Sequence, residues 1–174
     1  MIKSSAPTRI DLAGGTLDIW PLHLFFGNAP TLNAAINLYA TVELIPRNDQ
    51  RIILRSQDLK IEVSFSSLSA LPDKHPLELL IRTVKFYSPK SGLEISTHCQ
   101  APQGSGIGGS SALNIALHGA LNKFTGTRYS KSEMINIAKN IETQVIGVPA
   151  GCQDYFPAMY GNCLLYTSPS PRDS

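Results

Sequence analysis

The chain has little charge. Of its 174 residues 16% are Asp, Glu, Lys or Arg, against 43% hydrophobic, and the formal net charge is only +2. That balance is globular rather than disordered, and with no basic run it offers nothing to nucleic-acid phosphates. Cysteine is scarce too. Cys99, Cys152 and Cys163 are odd in number and far apart, which excludes a disulfide framework and a zinc-ligand spacing, and suits thiols in a reducing compartment. No apolar run reaches the roughly 18 residues of a membrane span, and no signal-peptide core opens the chain. The expectation is one well-buried cytoplasmic domain with no membrane and no nucleic-acid partner.

Lysine is absent between Lys90 and Lys123. The gap contains the most glycine-rich stretch, Ala101-Pro-Gln-Gly-Ser-Gly-Ile-Gly-Gly-Ser-Ser-Ala112, and it excludes a Walker loop, which needs Gly-Lys-Ser/Thr. His-Arg-Asp and Asp-Phe-Gly are missing as well, so this is not a protein-kinase loop. Gly104 to Gly109 matches G-x-G-x-x-G, but the next acid is Glu133, at a helix start rather than a second strand end. What remains is a loop of Gly104, Gly106, Gly108 and Gly109 that lets backbone approach a ligand without a Cβ in the way. Leu113, Ala116, Leu117, Ala120, Leu121 and Phe124 then recur at helical spacing. The loop feeds a helix N-terminus, where unpaired N–H groups, the dipole and the hydroxyls of Ser110 and Ser111 favour a phosphate or nucleotide.

The rest of the chain reads as support for that loop. Strands are expected over Ile2 to Leu12, Leu32 to Pro46, Arg51 to Ser56, Lys60 to Phe65 and Gly92 to Cys99, the middle three forming an antiparallel meander. Arg9 and Asp11, two apart, share a strand face and read as a surface ion pair. Trp20 to Phe26 is apolar, and Gly27-Asn28-Ala29-Pro30 is a turn signal. A short helix around Leu77 to Val84 ends before Pro89, and Ser130-Lys131-Ser132-Glu133 is a capping box for a helix with Met134, Ile137, Ala138, Ile141 and Val145 on one stripe. Glu142 lies at the edge of that stripe, ordinarily a solvated flank. Asp154, before Tyr155-Phe156, reads as an N-cap or as a functional acid. His98, at a strand end without a partner, reads as structural. From Thr167 to Ser174 periodicity stops, as in a tail.

Pro-x-Gly-x-Gly-Ile-Gly-x-Ser-Ser-Ala running into a helix resembles the second motif of the GHMP kinases, the superfamily of galactokinase, homoserine kinase and mevalonate kinase. Ala6-Pro-Thr-Arg-Ile-Asp-Leu-Ala-Gly-Gly-Thr-Leu-Asp18 resembles the first motif, whose galactokinase form is APGRVNLIGEHTDY, and Gly147-Val-Pro-Ala-Gly-Cys-Gln-Asp-Tyr155 resembles the sugar-kinase form G-x-x-x-G-x-Q-D-Q. The Ala-Gly-Gly form, with Gly15 and Thr16 where galactokinase has Glu and His, is nearer the heptose-phosphate and fucose kinase branches. The resemblance implies an α+β fold like ribosomal protein S5 domain 2, with a mixed, mostly antiparallel sheet and helices on one face. It covers residues 1–166, leaves 167–174 as a non-native or disordered tail, and implies a C-terminal GHMP domain that this chain lacks.

The same resemblance implies a reaction: transfer of the γ-phosphoryl group of ATP to a hydroxyl of a sugar or sugar phosphate. Asp154 falls on the acid facing the acceptor hydroxyl, Arg9 on the arginine near the transferred phosphate, and Asp18 on the carboxylate that holds sugar hydroxyls. Pro102, Gly104, Ser105, Gly106, Ile107, Gly108, Gly109, Ser110, Ser111 and Ala112 fall on the nucleotide loop. Mg²⁺ is implied at Ser110 and Glu142, with Ser111 the other candidate serine. A catalytically silent sugar- and nucleotide-binding regulator is the alternative on the same fold.

Overall fold

A computed structural model of the chain describes residues 1–19, 21–26 and 30–167. Trp20, the turn expected at Gly27-Asn28-Ala29 and the tail from Ser168 onward lie outside them. The order is β1 (Ile2–Ala13), α1 (Leu22–Phe26), β2 (Pro30–Pro46), β3 (Ile52–Ser56), β4 (Ile61–Phe65), α2 (Glu78–Tyr87), β5 (Leu93–Cys99), α3 (Gly109–Thr125), α4 (Lys131–Ile146), α5 (Tyr155–Tyr160) and β6 (Cys163–Thr167), with one 3₁₀ turn at Leu68–Ala70. Thr167, expected in the tail, is the last residue of β6 and pairs with Pro30.

The sheet runs β1-β2-β5-β3-β4, with β6 added to β2. All pairs are antiparallel except β3 with β5. The meander expectation is therefore half right. β3 and β4 form a hairpin, but β5 inserts between β2 and β3, taking Ala40 to Pro46 of β2 on one edge and Ile52 to Ser56 on the other. One of its faces carries Leu93, Ile95 and Thr97, all buried. Alternation along β2 and β3 decides which side is covered: Ala40, Val42, Leu44, Ile52 and Leu54 are all buried. The alternate positions carry Lys3–Glu43, Arg55–Glu62 and Arg55–Glu94 ion pairs.

α3 closes the core. Ala112, Ala116 and Ala120, all but inaccessible, let its backbone lie close to the sheet. At Gly119 a Cβ would stand 2.6 Å from Ser4 Oγ of β1. Leu113 and Phe124 of the expected stripe pack only partly, because the buried side also takes in Ile115. α4 begins at the expected box, Ser130 N–H donating to Glu133 Oε2 (2.8 Å) and Glu133 N–H to Ser130 Oγ (3.3 Å). Its stripe is rotated from the expected one. Ile135, Ala138, Ile141 and Glu142 are the buried positions, so Glu142 faces inward and not to solvent.

His118 of α3 is fully buried, with Nδ1 2.9 Å from the Tyr87 hydroxyl and Nε2 without a partner among the described residues. Desolvation pulls its pKa down to about 4, against 6.5 in an unfolded chain. The native imidazole is neutral, so its contribution is complete above pH 6.5 and is lost as pH falls toward 4, where the unfolded chain takes up a proton that the core refuses. Urea titrations at pH 7 and pH 4 should differ by about 3 kcal/mol from this group. His118→Leu should remove that part of the slope, and an unaltered slope would place the acid sensitivity elsewhere.

Candidate active site

The site forms where β1, the glycine loop, α4 and the segment before α5 converge. A bulge starts it. Ala6 pairs with Ala40 and Pro7 with Tyr39, but Thr8 pairs with Ile36, leaving Asn37 and Leu38 extra on β2; Thr8 Oγ1 donates to the Leu38 carbonyl (3.0 Å). Such bulges re-aim the side chains that follow. Here Arg9 turns beneath the loop, where its side chain is only 8% exposed, so it is not half of a surface pair. Its backbone N–H donates to the Ile107 carbonyl (3.0 Å) and Nη1 donates to the Gly106 carbonyl (2.9 Å). Nε donates to Asp154 Oδ1 (2.6 Å), Nη2 pairs with the same oxygen, and Asp11 Oδ2 lies 3.1 Å from Nη1.

Asp154 occupies the N-cap position of α5 with helical backbone angles, and its side chain makes no capping bond. Its carboxylate is directed at Arg9 instead. Oδ2 lies 3.5 Å from Ser111 Oγ, which donates to Glu142 Oε2 (3.0 Å). Tyr155 OH donates to that same Glu142 oxygen; burial, with Glu142 beside it, pushes the phenol up and keeps it protonated. Tyr155 stands where the sugar-kinase form ends on glutamine, and nothing in that pattern marks it as a partner of Glu142. Ser111 is buried at the first turn of α3, whereas Ser110 is exposed and makes no bond to Glu142. The serine beside Glu142 and Asp154 is Ser111.

Asp18 stands on the other side of Asp154. It is 6% exposed, and its Oδ2 accepts the N–H groups of Cys152 (2.5 Å) and Gln153 (2.7 Å) and the Tyr166 hydroxyl (3.4 Å). Burial raises its pKa against those bonds. Oδ1 is buried without a partner among the described residues. At Gly151 a Cβ would stand 2.2 Å from it, so a side chain there would have to displace the Asp18 carboxylate from the amides that hold it. Asp18 thus ties the turn after β1 to the segment carrying Asp154.

The glycine loop borders a cleft of about 450 Å³ whose walls include Asp58, Leu77, Leu80 and Cys99 and whose far end reaches Glu142 and Asp154. Gly104 and Gly106 hold φ of +77° and +71° with open space where a Cβ would point. Gly108, at φ +74°, precedes α3 without any side-chain cap. The first intrahelical bond is Ala112 N–H to the Gly108 carbonyl (2.9 Å), leaving the amides of Gly109, Ser110 and Ser111 for a ligand. Pro102 and residues 104–106 and 108–111 line the cleft. Ile107 does not; its carbonyl serves Arg9. Ala112 is in the core. His98 pairs with Asp58 at 3.3 Å on the surface.

Among the described residues no group of three or more His, Cys, Asp or Glu is arranged to hold a metal, and no helix is long and apolar enough to cross a membrane. Residues 77–162 match the family described as GHMP kinases N terminal domain. D-glycero-α-D-manno-heptose 7-phosphate kinase of Campylobacter jejuni is 32% identical over 92% of this chain and 48% of its own length. L-fucokinase/L-fucose-1-P guanylyltransferase of Bacteroides fragilis is 30% identical over 96% of this chain and 20% of its own. The crystal structure of a D-glycero-D-manno-heptose 1-phosphate kinase from Bacteroides thetaiotaomicron superposes with a TM-score of 0.85 at 29% identity, covering 98% of this chain and 60% of that one. The chain spans about half the length of the heptose 7-phosphate kinase. It belongs to the GHMP kinase superfamily and carries that family's N-terminal domain.

Proposed function

We propose that the protein transfers the γ-phosphoryl group of ATP to a hydroxyl of a sugar or sugar phosphate; two of the proteins it resembles are named as heptose-phosphate kinases. The observation that carries the reading is the joining of the three motifs at one point: Asp154 bonded to Arg9, and Arg9 bonded to the glycine loop. An uncapped helix N-terminus opening on the cleft suits the phosphates, and its apolar wall of Leu77 and Leu80 suits a base. Asp154 accepts the hydroxyl proton as the acceptor oxygen bonds to the γ-phosphorus and the bond to the leaving diphosphate breaks. Arg9 and the loop amides meet the charge that develops on the transferred group. Asp18 fixes the segment that aims Asp154.

Ser111 Oγ and Glu142 form a hard oxygen pair at the cleft, too small to enclose a cation by itself, and leave Asp154 Oδ2 for the acceptor hydroxyl. That fits Mg²⁺, which takes one or two protein carboxylates and completes its shell with phosphate and water. When bound there it would supply neutralising charge to the phosphate oxygens. In the full-length protein Ser111→Ala and Glu142→Gln should each raise the Mg²⁺ concentration for half-maximal activity roughly tenfold, less than additively when combined, while Ser110→Ala leaves it near wild type. An effect confined to Ser110→Ala would move the metal to that serine. Absence of ADP formation with every sugar and sugar phosphate in a broad panel would overturn the kinase reading.

A further inference from the structure

Two acids of the first motif stand near Asp154, and the structure treats them differently. Asp18 is closed off: Oδ2 is taken by two backbone amides, and Oδ1 is buried where a Cβ at Gly151 would stand 2.2 Å from it. Asp11 is open. Its side chain is 27% exposed, and its one partner among the described residues is Arg9, through Oδ2. Arg9 does not need it, since Nε, Nη1 and Nη2 already meet Asp154 and the Gly106 carbonyl.

Gly15 shows where the Asp11 carboxylate goes. A Cβ at that position would lie 2.9 Å from Asp11 Oδ2 and 3.1 Å from Gln153 Oε1, so these two head groups meet over the glycine and fill the space a side chain there would use. Gln153 Oε1 accepts the Thr16 N–H (2.7 Å), which turns the Nε2 donors away from the turn; none of the described residues accepts from them. An open carboxylate oxygen next to an open amide donor accepts from one hydroxyl and donates to its neighbour. The surrounding charge restricts the guest further. Asp18 and Asp154 both act on Asp11, whose pKa is raised first by burial and then by these neighbours against the pull of Arg9. Three carboxylates against one guanidinium repel an anion at this spot.

Resting on the kinase reading above, we propose that Asp11, with Gln153, is the specificity-determining contact to the acceptor, and that it takes a neutral vicinal diol; any phosphate on the acceptor lies away from it. Asp18 is a positioning residue behind this contact.

Calorimetry with neutral aldohexoses and 6-deoxyhexoses, their monodeoxy analogues and an ATP analogue tests this. Asp11→Ala should weaken binding of the neutral sugar roughly 10- to 100-fold, the range of a charge-assisted hydrogen bond, with nucleotide affinity unchanged. A monodeoxy sugar lacking the contacted hydroxyl should bind wild type weakly and lose nothing further in the variant. Unchanged sugar affinity in Asp11→Ala overturns the proposal, as does a loss confined to kcat, which would mean that Asp11 acts through Arg9. Failure of every neutral sugar to bind wild type overturns it as well. If Asp11→Ala does not fold, Asp11→Asn, which keeps the acceptor oxygen but loses the charge, should weaken neutral-sugar binding in the same direction by a smaller, several-fold factor, and unchanged affinity there overturns the proposal. Sugar binding that depends on Asp11 without any ATP turnover would uphold the contact and reject the kinase reading.

Discussion

Asp154→Asn is expected to fold, to bind nucleotide normally, and to lower kcat by roughly 10²- to 10⁴-fold, the size of a lost general base. Asparagine keeps the shape and can still accept from Arg9 Nε through its amide oxygen. Asp11, 3.1 Å from Nη1, leaves the buried guanidinium with one carboxylate. Loss of the second should therefore cost about 1 to 2 kcal/mol rather than unfold the protein. A capping role would predict no kinetic effect, since Asn caps as well as Asp, and the absence of any capping bond from Asp154 argues against that role. Steady-state kinetics beside a thermal melt separates the outcomes. A kcat within tenfold of wild type in a folded variant would remove Asp154 from proton handling and leave positioning by Arg9 and the metal.

The largest loss of stability is expected at Gly14. Its φ is +76°, and a Cβ there would lie 2.1 Å from the Pro30 carbonyl oxygen and 3.0 Å from its carbon. Both atoms are backbone at the start of β2, where Pro30 pairs with Thr167, so they cannot swing aside as a side chain could. Gly14→Ala should cost roughly 3 to 5 kcal/mol, combining left-handed strain with overpacking, and lower Tm by on the order of 10 °C. Gly126→Ala provides the comparison, because Gly126 has φ +71° and open space around it; about 1 kcal/mol is expected there. Equal losses at the two positions would show that the Pro30 contact relaxes and that φ alone sets the cost.

The sequence by itself determined most of the elements and the three motifs whose residues meet. Alternation in Leu32 to Pro46, the Ser130–Glu133 box and the glycine punctuation at Gly126 are local signals, set by side-chain period and by backbone groups within a few residues, and they were legible without a third dimension. The order of the sheet was not. β5 lies between β2 and β3 because its face of Leu93, Ile95 and Thr97 is buried there while both of its edges are paired, and that choice depends on contacts some 40 to 60 residues away along the chain, which periodicity does not encode. The stripe of α4 was misjudged by one position for a related reason. Met134 and Val145 are as apolar as Ile135, but only packing against α3 decides which face turns inward, and that rotation carries Glu142 from solvent to Ser111. The bulge at Pro7 and Thr8, which sinks Arg9 beneath the loop, arises from a register mismatch between two strands and exists only when both are paired. The choice of Ser111 over Ser110 has the same origin. Consecutive residues on a helix differ by about 100° in direction, so the motif placed a serine at the helix start, and the docking of α3 against α4 selected which of the two meets the acid.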